Sequence, residues 1–219
     1  MARSSFLVRG GRAVFASILL FSHVVTAETL VSRVTKGASI AEIRTEITIR
    51  TENKLLVETR VEGDRRLTTV FRLGGTCLSV TREGKEGRAT FRVDEGRVVS
   101  SGLWKGRTLN KSFPLPGVPF FSGPDAAASF AQRSDLGELV FAVIDPANYD
   151  KLLTMRLVRL GPERVGGRTA STWEVRLAGA LAPFWHASFA IGPDGRILRF
   201  VGNEGPGTPD VVIEFERLE

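Results

Sequence analysis

Few side chains in this 219-residue chain have the type and spacing to do covalent or acid–base chemistry. A Ser-His-Asp arrangement would have to use His186, because the second histidine, His23, falls in the N-terminal apolar segment. His186 stands between Trp185 and Ala187 on a run that reads as a strand, the place of a wall or rim histidine rather than a general base. Asp145 and Asp150 flank Tyr149 near a surface corner, where solvation explains them as well as a carboxylate pair does. Cys77, the single cysteine, excludes a disulfide framework and any paired-thiolate zinc site. Nothing near it in sequence would depress its pKa, so it reads as a small packed side chain. The glycines of 161–167 precede a strand, not a helix, and make a poor phosphate cradle. No G-x-S-x-G elbow, Walker loop or H-E-x-x-H pattern is present. The sequence therefore asks for no catalytic residue, cofactor or metal, and a non-enzymatic protein is expected.

The N-terminal segment reads as an address. Arg3, Arg9 and Arg12 precede the apolar stretch from Ala13 to Phe21, and Val25-Thr26-Ala27 supplies a small-x-small cleavage pattern. The stretch is too short and too interrupted for the roughly 20 apolar residues of a membrane span. Cleavage of 1–27 and export to the periplasm are expected, leaving 28–219 as a single domain. The whole chain is formally +6, but three basic and no acidic residues fall in 1–27, so 28–219 carry 27 against 24, or +3. Charges there alternate in sign, as in Glu42, Arg44, Glu46 and Arg50, then Glu58, Arg60 and Glu62. Interleaved signs suit solvated sheet faces with cross-strand pairs and argue against a nucleic-acid groove. The same charges argue against an integral outer-membrane barrel, whose lipid-facing positions are uniformly apolar.

The elements that would carry any site are mostly strands. Leu30, Val31 and Val34 share a helical face ahead of Gly37, predicting a short helix over 28–36. From Ile40 the period becomes two, with Ala41, Ile43, Thr45, Ile47 and Ile49 on one side. Turn signals then mark strands near 40–50, 55–62, 66–73, 76–82, 88–94 and 97–104. Phe113 to Phe121 holds three prolines and three phenylalanines, predicting a loop or cover, since proline cannot donate to a ladder. Ser122 to Asp125 has capping-box spacing ahead of an alanine-rich helix. A second helix from Asp135 is predicted, with a buried strand at 139–144 as its alternative. Five strands follow at 152–160, 169–177, 184–191, 196–201 and 211–218. The fold class expected is mainly β: a half-open antiparallel barrel of about 11 strands with a few short helices as plug or lid.

A curved sheet of that size encloses more space than its side chains fill unless helices plug it. The residues expected on its concave wall and cover are Phe71, Leu73, Phe113, Phe120, Phe121, Met155, Leu157, Trp173, Trp185 and Phe189.

Gly161-Pro-Glu163-Arg-Val165-Gly-Gly167-Arg168-Thr-Ala170 resembles the G-x-E-x-V-x-G-R-x-A hairpin of the LolA/LolB-like periplasmic lipoprotein-carrier superfamily and its secreted relatives. The turn Pro193-Asp194-Gly195-Arg196 and the order of elements over 28–219 are similar to theirs as well. The resemblance implies a barrel over helices whose apolar cavity shields a hydrophobic ligand, a lipid or a lipoprotein acyl chain, from water. The alternative is an envelope protein-interaction module with the same shell, a filled interior and no ligand.

Overall fold

A computed structural model describes residues 25–52, 55–72, 75–146, 149–179, 185–202 and 210–218. The first eight strands run along the chain as β1 (Val25–Lys36), β2 (Ser39–Glu52), β3 (Leu55–Glu62), β4 (Arg65–Arg72), β5 (Cys77–Gly84), β6 (Gly87–Asp94), β7 (Arg97–Trp104) and β8 (Arg107–Pro114). One helix, α1 (Pro124–Arg133), separates them from β9 (Glu138–Ile144), β10 (Leu152–Val165), β11 (Arg168–Leu177), β12 (His186–Ile191), β13 (Ile197–Gly202) and β14 (Val211–Leu218). All fourteen strands join one antiparallel sheet in the order 8-7-6-5-4-3-2-1-14-13-12-11-10-9. Every neighbour is the next strand in sequence except at the centre, where β1 lies beside β14. The class is the one expected; three further strands account for the difference in number.

The first is β1. The 28–36 segment is no helix, because each residue from Val25 to Lys36 pairs with β2 while Leu30 to Lys36 also pair with β14. Ladders on both sides override the weak helical periodicity of Leu30, Val31 and Val34. The second is β8, whose Leu109 and Phe113 face inward around Lys111 in a pattern too sparse to read. Such polar, lysine-bearing sequence suits the sheet edge it forms. The third is β9, where the strand alternative holds over the helix from Asp135.

Tight turns set the hairpins. At Glu95–Gly96 and Gly166–Gly167 both central residues have positive φ, the geometry that follows the right-handed twist of the flanking strands. β8 ends at Pro114, and Pro116 and Pro119 beyond it cannot extend a ladder. The chain instead crosses the interior, meeting β9 through a parallel bridge from Phe120 to Ala142 and through the ring of Phe121 against Phe141.

The interior holds two main apolar clusters. Under β9–β12, α1 seats Ala126, Ala127, Ala128 and Ala131 against Phe121, Phe141, Leu157, Trp173 and Ile191. The small alanines let the helix axis approach the sheet closely. Under β4–β8, Phe71, Cys77, Val80, Phe91 and Val98 pack with Phe120, Ile144 and Tyr149.

Candidate functional site: a concave cavity crossed by two arginines

Residues paired directly across an antiparallel ladder lie on the same face of the sheet. One such row runs Ile47, Arg60, Leu67, Arg82, Ala89, Gly102 and Leu109 across β2 to β8. It lies on the concave side, so β3 turns Glu58, Arg60 and Glu62 inward. The solvated face expected for those charges belongs to β2 alone, where Glu42 and Arg44 are exposed. Arg60 and Arg82 are two strands apart, roughly 10 Å by strand spacing, with Leu67 between them.

Both arginines reach the segment that opens α1. Arg60 Nη1 donates to Asp125 Oδ2 at 2.8 Å and its Nε donates to Glu58. Arg82 Nη2 donates to the Ser122 carbonyl at 3.1 Å. Burial works against the charge of Arg60, but the carboxylates of Asp125 and Glu58 outweigh it and raise the guanidinium pKa. The capping box expected at Ser122 is not formed. Gly123 is the N-cap with no side-chain bond, and Asp125 spends its carboxylate on Arg60.

Beside these arginines lies a cavity of about 520 Å³. Leu30, Ile47, Leu67 and Phe215 give it apolar surface, and Trp104 and Tyr149 an aromatic wall. Tyr149 is buried, with its ring centroid 5.1 Å from those of both Phe91 and Trp104. Its backbone sits at φ 56°, a conformation that is an outlier for a bulky residue, and its N–H donates to the Asp145 carbonyl at 2.9 Å. The loop thus accepts local strain to turn this ring inward. Burial holds the Tyr149 hydroxyl above its usual range, opposed by the charge of Arg82, whose Cζ is 5.7 Å from the ring centroid.

The expected wall residues occupy other places. Phe121, Met155, Leu157, Trp173 and Phe189 are buried in the cluster beneath α1, and Trp185 packs against its edge. Phe71 and Phe120 are buried in the β4–β8 cluster, with Phe113 against it at the end of β8 rather than in the cover. Leu73 lies outside the described residues. None of the nine described residues lines the 520 Å³ cavity. Trp173 is fully buried, donates its indole N–H to Gln132 Oε1 at 2.9 Å, and stacks under Arg159.

The remaining candidates for chemistry lie outside the lining of that cavity. Cys77 is buried with its Sγ directed at the Ser79 carbonyl, and burial pushes the thiol up to about 12. His186 is exposed on β12, and Asp145 pairs with Lys151 at 3.3 Å. Glu163 of the Gly161–Ala170 hairpin accepts from Thr172 Oγ1 at 2.7 Å and from Arg199, tying β10, β11 and β13 together. Among the described residues no group of three or more His, Cys, Asp or Glu is placed to hold a metal ion. Among them, too, no helix is long and apolar enough to cross a membrane.

The fold has a counterpart among solved structures. A β-barrel-like protein of a domain of unknown function, DUF1849, from Brucella abortus superposes with a TM-score of 0.57 at 10% identity, covering 88% of this chain and 97% of its own. Neighbours also include a putative outer membrane lipoprotein-sorting protein domain from Vibrio parahaemolyticus, at TM-score 0.28, 7% identity and coverages of 89% and 84%. A LolA superfamily protein from Nitrosomonas europaea follows at 0.26, 7% identity and coverages of 91% and 87%. The first of these establishes a β-barrel-like fold; the scores of the other two are too low to carry an argument. No family model matches the chain, and no curated protein matches it in sequence.

Proposed function

We propose that the protein is an exported, non-enzymatic carrier or sensor of a lipid-like guest, working in the periplasm after removal of 1–27. The observation that carries this reading is the 520 Å³ cavity on the concave face, where Leu30, Ile47, Leu67, Trp104, Tyr149 and Phe215 give apolar surface within a lining that is otherwise largely charged. Its volume falls within the roughly 300–1,000 Å³ of small-molecule sites. Each methylene moved into it contributes about 0.8 kcal/mol, so a dozen supply on the order of 10 kcal/mol before ordering costs. The resemblance of the Gly161–Ala170 hairpin to the lipoprotein carriers supports the same guest chemistry.

In this reading Ile47, Leu67, Trp104 and Tyr149 touch the guest first. The cluster of Phe121, Met155, Leu157, Trp173 and Phe189 would join that space when α1 lifts from the sheet, with Phe71, Phe113, Phe120 and Trp185 around it. The test is organic extraction of the purified protein followed by mass spectrometry, with the uncharged probe N-phenyl-1-naphthylamine titrated in parallel. Co-purified lipid and saturable probe fluorescence are expected, and Ile47→Trp should abolish the probe signal with its circular dichroism unchanged. Absence of both lipid and probe binding in the native protein would sink the reading.

A second reading, an envelope interaction module, draws on the filled half under α1 and on Leu103 and Leu160, which are 54% and 61% exposed. Cross-linking of lipid-free protein to one envelope partner would favour it.

A further inference from the structure

Arg60 and Arg82 stand in the same register row and reach the same segment, yet their charges are treated differently. Arg60 has two carboxylates, Glu58 and Asp125. Arg82 has one backbone carbonyl and the hydroxyl and ring face of Tyr149, and no ion-pair partner among the described residues. Its Nε is buried without an acceptor, and so is Trp104 Nε1. Both side chains line the cavity and both lie against Tyr149. A part-buried cation without a counter-charge is costly, and each unmet donor adds its own desolvation penalty. The rest of the rim leans the same way. Glu83 and Glu86 are taken by Arg88 and Lys105, which leaves Arg65, Arg66 and Lys85 against Glu62 and Asp64.

We infer that the guest is an anionic single-chain amphiphile whose carboxylate or phosphate head is received by Arg82 and Trp104 while its chain lies over Ile47 and Leu67. Charge-assisted bonds from a guanidinium to an oxyanion are the strong kind, and the indole N–H adds one more donor. This inference rests on the carrier reading and specifies its guest.

The experiment displaces bound N-phenyl-1-naphthylamine with tetradecanoate, tetradecyl phosphate or tetradecanol at pH 8, each below its aggregation threshold. In the native protein at least one anion should displace the probe at about a tenfold lower concentration than the alcohol, the worth of one charged hydrogen bond. Which anion does so separates the carboxylate source from the phosphate source. Arg82→Gln should erase that advantage, so that the anions and the alcohol displace the probe at the same concentration. Trp104→Phe, which keeps the ring and removes only the N–H, should cut it about threefold, and stands in if Arg82→Gln fails to fold. Equal displacement by all three in the native protein overturns the anionic head and leaves the carrier reading standing. Failure of the probe and of every amphiphile to bind removes both.

Discussion

Arg60 on β3 and Asp125 in the first turn of α1 meet at 2.8 Å across the hollow of the sheet, joining the half built from β1–β8 to the helix that fills the other half. Both groups are about one-third exposed, so the contact is neither a screened surface pair nor a sealed one. Arg60→Ala should destabilise the protein by about 1–3 kcal/mol, because Glu58 loses its donor together with Asp125. The freed helix should exchange its amide hydrogens faster than β9–β12 do, and the uncharged probe should gain a larger binding capacity. Unchanged exchange in α1 would show that the alanine packing alone holds the helix down.

Trp173 is fully buried against α1. Trp173→Ala should therefore cost about 3–5 kcal/mol in urea denaturation, the range for large core truncations. Trp173→Phe leaves Gln132 without its donor and should cost about 1–3 kcal/mol. A Trp173→Ala protein of native stability would mean that the cluster under α1 is not closed.

The thiol of Cys77 ordinarily titrates near 9.0 and is pushed up to about 12 by burial. Its folded value is raised, so its contribution is fully present below pH 9 and is lost as the pH climbs toward 12, where the unfolded chain has given up a proton that the folded chain keeps. Denaturation midpoints measured from pH 8 to pH 11 should fall more steeply for the native protein than for Cys77→Ala. Iodoacetamide at pH 8 should label Cys77 only after unfolding.

Gly75, in the β4–β5 connection, has φ 98° and faces the ring of Phe130 on α1. An added Cβ would stand 2.3 Å from that ring. Gly75→Ala should destabilise by about 1–3 kcal/mol through backbone strain and contact together. Gly75→Ala with Phe130→Leu should recover part of the loss, and thermal melts would read both.

β-rich runs set off by turn residues were legible: the 55–62, 97–104 and 211–218 boundaries coincide with β3, β7 and β14. β1 was not, because its evidence is long-range. Its pairing with β14, far away in sequence, adds a second ladder to the one with β2 and leaves no room for a helix. The aromatic residues of the C-terminal half were readable as apolar and inward-facing, but α1 covers them, and a helix's docking face is set by tertiary packing. Arg60 and Arg82 were hidden for a different reason. Alternating charges look the same on either face of a sheet, and Ile47 opposite Arg60 is visible only once the register of β2 and β3 is fixed. A register-aware reading would have put Arg60, Leu67 and Arg82 on one line.

The adjacency of β1 and β14 has a consequence for biogenesis. Of the described strands, the two that meet at the middle of the sheet are the first and the last in chain order. The two flanking meanders, β2–β8 and β9–β13, can zip from local contacts, but welding them needs the pairing of β1 with β14. Until β1 meets β14 the fold is two half-shells with raw inner edges, so the slow step of folding is the closure of that long-range pair.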